Sequence, residues 1–112
     1  MSNRNETNVM PRIPEIPIDK LTPEQRRAHD AIASGPRGAV VGPLKVWLQS
    51  PELAQRAQEL GAFCRYHTSL PKRLSELAIL VTGAHWKAGF EWFTHAPIGI
   101  EAGLEPKAVE AL

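Results

Sequence analysis

The sequence predicts an all-α protein, and three observations point there. Apolar residues recur at helical spacing, as Leu53, Ala57, Leu60 and Cys64 do on one face with Glu52, Arg56 and Glu59 opposite. Proline stands where a helix would begin, in Thr22-Pro23-Glu24-Gln25, Ser50-Pro51-Glu52 and Ser69-Leu70-Pro71. No segment alternates with the period of a strand, and no internal repeat is visible.

Residues 1–20 read as an extended, proline-rich N-terminal arm. Pro11, Pro14 and Pro17 exclude helix there, and Ile13, Ile16 and Ile18 between them should lie on something apolar. Thr22 and Gln25 form a capping box for a helix that runs to about Ser34 and stops at Gly35-Pro36. After the GPRGAVVGP loop, a short apolar helix around Leu44–Leu48 carries Trp47. The helix opened by Pro51 should end near His67, with Cys64 a small buried hydrophobe on its apolar face.

The helix opened by Pro71 carries LAILV, apolar on every side, which suits a fully packed central element. Gly83, His85, Trp86, Lys87 and Gly89 are weak for helix, so a turn is expected near residues 84–87. A second helical stretch should run from about Ala88 to Ala102, kinked or interrupted by Pro97 and stopped by Gly103. Pro106 opens one more helix.

Bulk properties narrow the function. A chain of 112 residues is one domain or part of one, and its 43% hydrophobic and 22% charged content is ordinary for a globular protein. The net charge of +1 and the scattered Lys and Arg residues supply no field for nucleic acid. The single cysteine excludes an intrachain disulfide and any Cys-x-x-Cys pair. No signal peptide or membrane span is evident, so a cytoplasmic location is the expectation.

Glu76, Glu91 and His95 stand out because they punctuate otherwise apolar helix. Glu91 and His95 share a helix face, and Glu76 shares its own with Ile79, Leu80 and Gly83. In one unbroken helix Glu76 and His95 would lie about 28 Å apart. A reversal near residues 84–87 would instead bring them opposite one another, at the roughly 8–10 Å spacing of packed helices, with Gly83 and Ala88 small enough to allow it. Carboxylates around an imidazole fix its tautomer and make general acid–base machinery that needs no cofactor. Simpler explanations also exist: an Arg73–Glu76 ion pair, or a surface Glu91–His95 pair. Two Glu and one His at this spacing match no recognised metal motif, so no metal is expected. His85 beside Trp86 also suits packing or an oligomer contact, and His29 is given no role.

The stretches SPELAQRAQELGAF, SLPKRLSELAILV and AHWKAGFEWFTHAPIGIEAGL resemble the carboxymuconolactone decarboxylase family, over roughly residues 11–112. The wider superfamily includes alkylhydroperoxidase-like proteins, whose motif is a Glu, a Cys-x-x-Cys and a His. Laid on this chain, Glu76 and His95 match, but the cysteine positions fall on Ala88 and Glu91, so thiol peroxidase chemistry is disfavoured.

The resemblance implies an alkylhydroperoxidase-like helical bundle over residues 21–112, built around an antiparallel helical pair and assembled as a homo-oligomer, trimer or hexamer. Because the chain ends within a helix, that domain is expected to be incomplete at its C-terminus. The implied activity is cofactor-free decarboxylation of a small carboxylated lactone such as 4-carboxymuconolactone. Loss of carbon dioxide leaves an electron pair spread to the lactone carbonyl as a dienolate, which must then gain one proton on carbon. His95 would donate it, Glu91 would orient His95, and Glu76 would complete the relay or be kept protonated. Arg65, Arg73, His85 and Trp92 are the candidate substrate-binding residues. A non-catalytic oligomerisation or binding module of the same fold is the alternative, and a redox protein using Cys64 is a third reading.

Overall fold

The computed structural model describes residues 11–112. The polar first half of the N-terminal arm lies outside the described residues. Those described form an all-α protein with helices α1 (Pro23–Ser34), α2 (Pro43–Trp47), α3 (Pro51–Ala62), α4 (Lys72–His85), α5 (Gly89–Glu101) and α6 (Pro106–Glu110). Among them no helix is long and apolar enough to cross a membrane. The chain divides into two compact units, Met1–Arg56 and Ala57–Leu112.

In the first unit the proline-rich segment stays non-helical until a 3-10 turn at Ile18–Lys20. It is held by Lys45 Nζ, 3.0 Å from both Glu15 carboxylate oxygens, and by Gln49 Nε2, which donates to the Pro14 carbonyl at 3.1 Å. Of its isoleucines, Ile16 packs on the core of Ala28, Leu48 and Ala54, whereas Ile13 and Ile18 are exposed. The capping box forms as expected. Gln25 N–H donates to Thr22 Oγ1 at 3.2 Å, and Thr22 N–H donates to Gln25 Oε1 at 3.0 Å.

The expected apolar face of α3 does not face inward. Leu53 is 53% and Leu60 65% exposed, while Ala54 is fully buried. The small residue, not the large ones, marks the side of α3 that the core admits. Cys64, expected to be buried, is exposed for the same reason. α3 passes directly into a π-helical turn, Phe63–His67, which carries the helical path to the expected end at His67.

The second unit is organised by α4 and α5, which fold back on one another. The reversal is backbone chemistry. At the end of α4, Ala88 N–H reaches back to the Gly83 carbonyl (2.8 Å) and Lys87 N–H to the Ala84 carbonyl (3.1 Å). This is a Schellman motif, and its left-handed residue is Lys87, with φ 52°. The end of α5 repeats it: Leu104 N–H bonds the Gly99 carbonyl (2.9 Å), Gly103 N–H bonds the Ile100 carbonyl (3.0 Å), and Gly103 has φ 106°. Glycine holds that conformation without cost, and lysine does not. Lys87→Gly is therefore expected to raise stability by about 0.5–1 kcal/mol, read from the urea midpoint. A lowered midpoint would mean that the Lys87 side chain contributes more than its backbone strain costs.

The core here is Leu80, Leu104 and Val109, with Leu77, Trp92 and Ala96 packed against it. The LAILV run is buried on one side only: Leu80 is fully buried, but Val81 is 48% exposed. Pro97 does not interrupt α5, which runs unbroken from Gly89 to Glu101. Its missing N–H would have met the Phe93 carbonyl, and Pro97 and Phe93 are both exposed, so water can take that place.

Candidate functional site

Two glycines let α4 and α5 approach closely. A Cβ on Gly83 would lie 3.4 Å from Glu91 Cβ. A Cβ on Gly99 would lie 2.9 Å from Leu104 Cδ1, 3.2 Å from Leu80 Cδ1 and 3.6 Å from Glu76 Cβ. Gly99 therefore sits over Glu76. It falls one helical turn after His95, and that spacing was the available sign of its role, which sequence reasoning missed.

This close approach buries Glu76 and His95 together. Glu76 is 1% exposed, and its Oε2 lies 2.6 Å from His95 Nδ1. At this distance to a carboxylate, Nδ1 carries the proton and donates it to Glu76 in the hydrogen bond, so the tautomer is assigned from the contact. The other ring nitrogen, Nε2, lies 3.5 Å from Glu91 Oε2 on the same helix face. Glu76 Oε1 lies 3.9 Å from Arg65 Nε. Arg65 comes from the π-helical turn, whose wider winding alters the direction of its side chains, and its guanidinium also lies over the Tyr66 ring at 5.0 Å.

Glu76, His95 and Glu91 run from interior to surface. The side chains of Glu76, His95 and Glu91 are 1%, 8% and 36% exposed, so Glu91 is the one that meets solvent. There it lines a largely apolar groove of about 440 Å³ with Ile79, Thr82 and Trp86. Chemically this is a buried carboxylate fixing one face of an imidazole, with the other nitrogen directed toward a second carboxylate at a groove. Such a pair can give or take one proton at Nε2.

The remaining candidates lie elsewhere. Arg73 is exposed, with Cδ beside Gly103; among the described residues the guanidinium in ion-pair range of Glu76 is that of Arg65. His85 is exposed and meets the Trp86 ring edge-on at 5.0 Å. Trp92 is half-buried against the Leu80 cluster and borders a separate hollow with Ala84 and Leu112. Sequence reasoning gave Glu91 the orienting role, but Glu76 is the nearer partner of His95. Among the described residues no set of three or more His, Cys, Asp or Glu is arranged to hold a metal ion.

No protein-family model, curated protein or solved structure matches this chain.

Proposed function

We propose that the protein is a cofactor-free, decarboxylase-like lyase acting on a small carboxylated lactone of the 4-carboxymuconolactone type. The observation that carries this reading is the buried Glu76–His95 contact of 2.6 Å, with the second imidazole nitrogen 3.5 Å from Glu91, which lines a groove. The substrate loses its carboxylate as carbon dioxide, and the electron pair of the broken bond delocalises onto the lactone carbonyl. Protonated His95 then delivers one proton from Nε2 to the dienolate carbon, and Glu76 stabilises the cation before transfer. Glu91, at the mouth, returns a proton from solvent. Arg65, with Nε 3.9 Å from Glu76 Oε1, places a positive charge beside that carboxylate. Assembly into a homo-oligomer is part of the proposal, because the apolar wall of the groove includes Trp86, 75% exposed in the single chain.

The test is turnover of 4-carboxymuconolactone in deuterium oxide. The expected product carries one deuterium at the protonated carbon, with carbon dioxide released in equal amount. Absence of turnover across a panel of carboxylated lactones would overturn the reading.

A second reading, a non-catalytic helical interaction module, is favoured by the large apolar side chains at the surface. Phe93 is 83%, Leu60 65% and Phe63 56% exposed. It predicts stable assembly in sedimentation velocity together with no lactone turnover. The thiol reading gains one of its requirements, an exposed Cys64, but a second thiol for the Cys-x-x-Cys chemistry is missing from the sequence.

A further inference from the structure

We infer that the first unit contains a binding site for a small amphiphilic carboxylate, beneath the proline-rich segment. A cavity of about 300 Å³ lies there, at the lower end of the range for small-molecule pockets, roughly 300–1,000 Å³. Leu21, Val40 and Leu48 supply apolar lining, and the segment from Glu15 to Ile18 forms one side. All lining residues belong to the Met1–Arg56 unit, so the site is independent of Glu76 and His95 and of the function proposed for them.

Two polar groups on helices border the cavity. His29 on α1 has Nδ1 2.9 Å from Asp30 Oδ1, which leaves Nε2 for a ligand. Among the described residues, Lys45 on α2 is the one lysine or arginine of the lining, and its present partner is Glu15, contributed by the segment. The charge fixed to the helical framework is therefore positive. Glu15 has a 67% exposed side chain, and a pair so exposed is weak. A ligand carboxylate entering at Lys45 replaces the Glu15 carboxylate with the same chemistry, while its hydrocarbon body covers Val40 and Leu48. A cationic ligand would have to compete with Lys45 for Glu15 and would leave the lysine without a partner. The arrangement thus selects an anion with an apolar tail. It also couples binding to the segment, because occupancy releases the Glu15–Lys45 contact.

The test is a methyl-resolved NMR titration of the full chain with hexanoate, heptanoate and octanoate, with 1-octanol as the uncharged control. Saturable shifts are expected at Val40 and Leu48, with affinity rising about threefold to fourfold per added methylene until the cavity fills. Lys45→Met should weaken octanoate about tenfold and leave octanol unchanged. Glu15→Gln should tighten octanoate, by up to about fivefold, a gain that damage to the fold cannot imitate. Absence of saturable shifts at these methyls, equal affinity for octanol and octanoate, or an unchanged octanoate affinity in both variants would each overturn the proposal.

Discussion

Replacing Glu76 by alanine is expected to cost about 3–5 kcal/mol of folding stability, the usual penalty for removing one partner of a buried charged pair. Glu76 is 1% exposed and holds both His95 Nδ1 and, at longer range, Arg65. Alanine leaves the imidazole N–H in the interior without its acceptor and opens a cavity under Gly99. Glu76→Gln retains the shape and an oxygen able to accept from His95, so its cost should be smaller, about 1–2 kcal/mol. Urea denaturation followed by circular dichroism measures both. A loss below about 1 kcal/mol for the alanine variant would show that the pair is not sealed from water. A double-mutant cycle with His95→Ala should give a coupling of about 0.5–3 kcal/mol, the range for directly contacting groups.

The second large effect is kinetic. Under the lyase activity proposed above, His95→Gln is expected to lower kcat for the lactone by about a hundredfold to ten-thousandfold, the ordinary contribution of a positioned general acid. KM should change little, because the proton moves only in the transition state. Glu91→Gln should cost less, about tenfold, since Glu91 is 3.5 Å from Nε2 and partly open to water that can substitute for it. A His95→Gln protein that turns over at the wild-type rate would remove the imidazole from the mechanism. Equal losses in the two variants would instead make Glu91 an obligatory relay.

Much of this arrangement was legible because it follows from local chemistry. Thr22 and Gln25 announce the start of α1, and Gly103 announces the end of α5. The reversal after α4 was marked by poor helix formers, and it alone converts Glu76 and His95 from distant residues into neighbours. What sequence could not supply was the direction of each apolar face. Leu53 and Leu60 have the spacing of a core stripe, yet Ala54 is the residue buried, because periodicity gives a period and not a partner. The π-helical turn at Phe63–His67 has no sequence signal of its own, so the ion pair expected between Arg73 and Glu76 is instead approached by Arg65. Pro97 predicts a lost hydrogen bond, but its sequence position does not reveal that both Pro97 and Phe93 are exposed.

The reversal at Trp86–Ala88 also bears on how Glu76 and His95 come together in time. Glu76 and His95 are separated by 19 positions along the chain, and the entropy of closing a loop grows only logarithmically with such a separation. Once the turn is tied, two rods need only zip outward from it, an event of the microsecond class that requires no distant strand or late-arriving segment. The buried acid–imidazole contact is thus assembled by a short and simple motion.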